Sequence, residues 1–135
     1  MREIKFRGQR IDGEGWTYGY YMENHMNKAY QINFSINKEV IYQIYPKGCD
    51  VSPREIIPET VGQYTGLEDK NGVEIYEGDI LGLPQHKPEN WSGDVYFKEG
   101  AFFITPNGAE SLLNNYRAGR SIVIGNIHCN PELLK

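Results

Sequence analysis

Asp69-Lys70-Asn71-Gly72 constrains this chain more than any other feature, because Asn and Gly tolerate positive φ and the four residues interrupt two strand-like segments. Those segments are Gln63-Tyr64-Thr65-Gly66-Leu67 and Val73-Glu74-Ile75-Tyr76. The arrangement predicts the tip of a β-hairpin. A chain built around such a tip must satisfy strand edges, so more strands are expected in the rest of the sequence.

Period-two alternation supplies them. Ile4 and Phe6 alternate with Lys5 and Arg7, and Asp12-Gly13-Glu14-Gly15 turns the chain into Trp16 to Met22, an opening hairpin. Tyr30, Ile32, Phe34 and Ile36, then Val40, Tyr42 and Ile44, predict a second. Between Pro46 and Pro58 the pattern breaks at Gly48, Pro53 and Pro58, which marks a connection and the expected limit between sub-domains 1–57 and 58–135 of one compact unit.

Beyond it, Glu77-Gly78-Asp79 turns into Ile80 to Leu83, followed by Gly93 to Phe97, the Lys98-Glu99-Gly100 turn and Ala101 to Thr105. Short strands and tight turns predict a small barrel, SH3-like in its order of signals. Gln85 to Asn90 is the most polar stretch between strands, where mobility is expected. Leu112, Leu113 and Tyr116 have helical spacing, with a bent strand as the alternative. Ile122 to Ile127 is β-branched enough for a central strand, and Asn130-Pro131 opens a closing helical turn. The expected fold class is mainly β: hairpins, then an SH3-like barrel, then a short C-terminal helical turn.

Composition agrees and excludes several functions. Ten Tyr, five Phe and fifteen Gly suit twisted strands and tight turns better than a helical bundle. A net charge of −4 provides no global basic field for nucleic-acid phosphates, although Arg2, Lys5, Arg7 and Arg10 cluster early and acids crowd residues 55–79. Two cysteines make no disulfide framework, and the first residues lack the apolar core of a signal peptide. No window reaches the ~18 apolar residues of a membrane span. A soluble protein of a reducing cytoplasm is expected, with no membrane partner.

The reactive residue types do not assemble. Glu77-Gly78-Asp79 can be read as paired carboxylates, but a turn in which Asp79 accepts from nearby amides explains it better. Cys49 and Asp50 lie far from His128 and Cys129, without the paired spacing of a zinc site or a thiolate with its base. His25, His86 and His128 show no two-imidazole helical spacing, and no glycine-rich loop precedes a long helix. No set passes the nucleophile, base and stabiliser test, so no enzyme, cofactor or metal is expected.

Several motifs stand in the order seen in one family. They are Met1 to Gly8, Trp16-x-Tyr18-Gly19-Tyr20, Pro58 to Leu67, Asp69-Lys70-Asn71-Gly72, Ile75 to Ile80, Ile124-Gly125-Asn126-Ile127 and Asn130 to Leu134. Over nearly its whole length the chain resembles the YopX-like phage proteins. The resemblance implies a largely β protein encoded by a bacteriophage or prophage and made inside a bacterial host. It implies no activity.

Aromatic side chains are the remaining functional signal. Alternation buries about half of such rings, so core packing is the first reading of the set. The candidate binding surface is Arg7, Trp16, Tyr18, Tyr20, Tyr64, Tyr76 and Tyr96, with Arg2, Arg10, Arg117 and Arg120 as further edges if the two ends of the chain meet. A host or phage protein is the expected partner, through an aromatic surface or a sheet edge. A nucleic acid stacked on rings beside arginine comes second, and unsatisfied strand edges also admit a homo-oligomer.

Overall fold

Backbone pairing follows the period-two segments. A computed structural model describes residues 3–24, 29–33 and 54–134, with backbone alone for Tyr20, residues 22–24 and 29–33, and Arg54. The expected strand Val40 to Ile44, Phe34, Ile36, His25 and Cys49 lie outside the described residues. Among the described residues the protein is mainly β, with two antiparallel sheets and one short helix near the C-terminus. Contacts divide it into Ile4–Gln63 and a unit of Tyr64–Lys135 with Met1–Glu3. The limit expected at 57/58 and the observed one at 63/64 bracket the 3-10 turn Pro58–Thr60 and the start of a strand.

In the Ile4–Gln63 unit, β1 (Phe6–Gln9) pairs with β2 (Trp16–Asn24), running from Phe6 opposite Gly19 to Gln9 opposite Trp16. The expected opening hairpin is therefore formed. Its turn is held by the Arg10 N–H donating to the Gly15 carbonyl at 2.9 Å and by Asp12 Oδ1 accepting from the Glu14 N–H at 2.9 Å. β3 (Ala29–Asn33) pairs with β2, and β4 (Arg54–Glu55) with β3. On the other side of β1, the start of β5 (Gly62–Glu68) pairs through Gly62 and Gln63. Thr60 locks this join, its Oγ1 accepting from the Gln9 N–H at 2.8 Å and donating to the Ile57 carbonyl at 2.6 Å.

In the Tyr64–Lys135 unit, the rest of β5 pairs with β6 (Glu74–Tyr76) through Tyr64 opposite Tyr76 and Glu68 opposite Glu74, with a bulge between. The Asp69–Gly72 tip joins them. Gly72 sits at φ +78° with its N–H donating to the Asp69 carbonyl at 3.0 Å, whereas Asn71 keeps negative φ. Asp69 is buried and its carboxylate is the centre of the turn: Oδ1 accepts from the N–H groups of Asn71 (2.8 Å) and Val73 (2.9 Å).

The second sheet runs β10-β9-β8-β7-β11, from β7 (Asp79–Gly82), β8 (Ser92–Lys98), β9 (Ala101–Ile104), β10 (Ser111–Leu112) and β11 (Ile122–Asn126). β11 therefore lies at one end of the sheet order, not at its centre. Its residues are all half-buried, which satisfies a β-branched run without a strand on each side. Ile75, Leu81, Val95, Ile104, Leu113 and Ala118 form the core, with Leu67, Trp91, Phe102 and Val123 against it. Burying each large side chain contributes about 1.5–3 kcal/mol.

Between β10 and β11 the short α1 (Asn115–Ala118) begins at Asn114, whose Oδ1 accepts from the Arg117 N–H at 3.0 Å. Both alternatives for Glu110 to Tyr116 are thus realised in succession, strand then helix. Leu113 is buried, while Leu112 and Tyr116 are exposed. The closing 3-10 turn Pro131–Leu134 forms as expected and is tied to β8 by Ser92 Oγ donating to the Leu133 carbonyl at 3.0 Å.

Candidate functional site

The acidic turn Glu77-Gly78-Asp79 is structural. Gly78 takes φ +86°, and the buried Asp79 accepts from the Tyr76 N–H at 2.8 Å through Oδ2. A buried carboxylate bonded to an amide is stabilised as an acceptor and is withdrawn from solvent chemistry. Cys129 is exposed, its backbone N–H donating to Asn126 Oδ1 at 2.9 Å. Among the described residues no group of three His, Cys, Asp or Glu side chains is placed to hold a metal ion.

The sequence-derived surface residues separate into distinct groups. On β1 and β2 of the Ile4–Gln63 unit, Arg7 lies opposite Tyr18 and Gln9 opposite Trp16, so Arg7, Trp16 and Tyr18 share one face of the hairpin. The Arg7 guanidinium is 4.5 Å from the Trp16 ring centroid. Arg7 is buried, Trp16 half-buried and Tyr18 exposed. The side chain of Tyr20 lies outside the described residues.

Tyr64 and Tyr76 are core residues, 8% and 2% exposed, with ring centroids 5.5 Å apart. Pairing across β5 and β6 turns both rings to the same buried face, so neither presents a surface. Tyr96 differs: its ring stacks on Phe103 with centroids 6.1 Å apart, and its phenol donates to Glu110 while accepting from Thr105 Oγ1 at 3.0 Å. Lys98 Nζ completes the group at 3.3 Å from Glu110 Oε1. The Glu110 carboxylate, as hydrogen-bond acceptor, raises the Tyr96 phenol above its usual pKa, and that same bond, with Lys98, holds Glu110 below the ordinary carboxylate range. This cluster braces β8 against the segment entering β10.

A different constellation in the Tyr64–Lys135 unit has the form of a binding site. Leu83 follows β7, Trp91 precedes β8, and Tyr116, Arg117, Arg120 and Ser121 come from α1 and the turn after it; together they line an open cleft of about 180 Å³. Trp91 packs against the core, and the Trp91 N–H donates to the Lys87 carbonyl at 3.2 Å. Ser121 is fixed by Oγ donating to the Arg117 carbonyl at 2.7 Å. Tyr116 is 68% exposed, the largest exposure among the described large hydrophobic residues.

The Arg120 guanidinium lies 4.9 Å from the Tyr116 ring centroid and donates to the Tyr116 hydroxyl. Among the described residues neither Arg117 nor Arg120 has a carboxylate partner. An apolar floor thus meets two guanidiniums at the rim. The signal for it was present as Tyr116 in α1 and Arg120 four residues later, in the turn that follows it. Trp91, beside the polar loop 85–90, carried no pattern linking it to them.

The fold is similar to a solved structure, the crystal structure of protein EF1440 from Enterococcus faecalis, with a TM-score of 0.57 and 25% identity over 100% of each chain. No curated protein matches the chain in sequence. Residues 16–135 match the family described as YopX protein, and the chain belongs to that family.

Proposed function

We propose that the chain is a non-enzymatic protein-binding module, encoded by a phage or prophage and acting in the cytoplasm of a bacterial host. The observation that carries this reading is the open cleft of Trp91, Tyr116, Arg117 and Arg120, an aromatic and arginine combination characteristic of protein-interface anchor points. Strand order β10-β9-β8-β7-β11, with a helical turn between β10 and β11, supports an SH3-like barrel for the unit that bears it. The phage origin rests on the family resemblance.

Nucleic-acid binding is the second reading, favoured by the Arg120 guanidinium over the exposed Tyr116 ring. Affinity capture from host cells, with nuclease treatment and mass spectrometry, separates the two. The protein-binding reading expects a protein partner that resists nuclease and is lost with Tyr116→Ala, a change at an exposed ring that spares the fold. Capture of nucleic acid alone, or of nothing above the variant, would overturn it.

A further inference from the structure

We infer that the cleft receives one aromatic or large aliphatic side chain of a partner protein whose flanking residues are acidic, the carboxylates meeting Arg117 and Arg120. This rests on the protein-binding reading and specifies its partner. Size comes first: about 180 Å³ accommodates one buried side chain, below the roughly 300–1,000 Å³ of a site for a whole drug-sized ligand. Leu83 and Trp91 make the interior apolar, so an apolar anchor gains from leaving water there.

Charge then selects what surrounds the anchor. Two guanidiniums without carboxylate partners among the described residues form a local positive rim on a chain of net charge −4. Guanidinium forks match carboxylates in geometry, and screening confines the attraction to about 8 Å at physiological salt. An acidic segment docked at short range is favoured, because long-range steering by this acidic chain opposes it.

The same features disfavour nucleic acid at this cleft. A backbone track needs a run of cations, whereas the rim offers two.

The test is a titration of the 15N-labelled full chain with a blocked peptide carrying one Phe between Glu residues. Saturable shifts of the Trp91 indole N–H and the Arg117, Arg120 and Ser121 amides are expected. Binding should weaken at least about tenfold when Lys replaces Glu in the peptide, when Ala replaces Phe, or in Arg117→Glu/Arg120→Glu. Arg117→Gln/Arg120→Gln serves if the reversed-charge variant loses its folded spectrum. Absence of saturable shifts, equal binding of the Lys peptide, tighter binding of oligothymidylate, or dimerisation that occupies the cleft without peptide would each overturn the inference. If the peptide fails while Tyr116-dependent capture of a protein persists, the acidic anchor falls and the protein-binding reading stands.

Discussion

Asp69 Oδ2 accepts a hydrogen bond from the Val123 N–H at 2.9 Å across 54 positions of sequence, joining the β5–β6 hairpin tip to β11. The adjacent Lys70 N–H donates to the Ser121 carbonyl at 2.9 Å, so the tip is clamped beside the residue that lines the cleft. One buried carboxylate thereby organises a turn, a sheet strand and one wall of the candidate site. Local turn chemistry and a long-range contact are the same side chain.

Asp69→Ala should destabilise the protein by about 2–4 kcal/mol, since it removes a charged acceptor shared by three backbone amides and leaves them buried or strained. Asp69→Asn should lose less, because its carbonyl can keep some of those bonds. Denaturant melts of both variants check this. A change under about 0.5 kcal/mol for Asp69→Ala, the range of ordinary surface substitutions, would contradict the clamp.

Gly72→Val should cost about 1–2 kcal/mol, the strain of holding a β-branched residue at positive φ. Gly108 cannot serve as its neutral control, because it sits at φ +80°. Lys70→Val, at an exposed position of the same turn without positive φ, is the appropriate comparison. An equal loss at both positions in denaturant melts would remove the φ requirement from the account.

Glu99 and Gly100 form the two-residue turn between β8 and β9 with φ +51° and +83°, closing Lys98 opposite Ala101. Positive φ at both central positions is the type I′ pattern, which favours Asn at the first. Glu99→Asn should therefore raise stability by about 0.5–1 kcal/mol. A lower melting midpoint would show that the turn is not of this type.

How much of this was legible in sequence depends on whether the signal was local. The Asp69–Gly72 tip, the hairpin from Ile4 through Met22, the Asp79 turn and the Pro131 turn each carry their cause within a few residues, and each formed. Tyr64 and Tyr76 show the limit: alternation assigns rings to one face, but only pairing across β5 and β6 tells that this face is the buried one. Leu112, Leu113 and Tyr116 show the same limit: their helical spacing spans the junction of β10 and α1, so no local pattern separates the strand from the helix that follows it. The cleft was the least legible, since Trp91 meets Tyr116, Arg117 and Arg120 only after β8, β9 and β10 have been laid down.

The Tyr96 and Glu110 pair gives a pH signature. Glu110 has its folded pKa depressed, so its contribution is present above the unfolded carboxylate value and is lost as pH falls through the lower folded value. Tyr96 has its folded pKa raised, so its contribution is present below the unfolded phenol value and is lost as pH rises through the higher folded one. Glu110→Gln should flatten the acid limb of stability and bring the tyrosinate absorbance of Tyr96 back towards ordinary pH. Glu110 is exposed and Tyr96 only half-buried, so the effect is small, and an unchanged Tyr96 titration would break the pairing.

The central claim is that the cleft of Trp91, Tyr116, Arg117 and Arg120 meets a protein. Photo-crosslinking from a benzoylphenylalanine placed at position 116, in living host cells, reads what touches that ring directly. The account predicts discrete adducts that resist nuclease, disappear with protease and are weakened by Arg117→Glu/Arg120→Glu. Adducts that are sensitive to nuclease, or no adducts beyond those formed from a probe at the exposed Glu132 position, would contradict it.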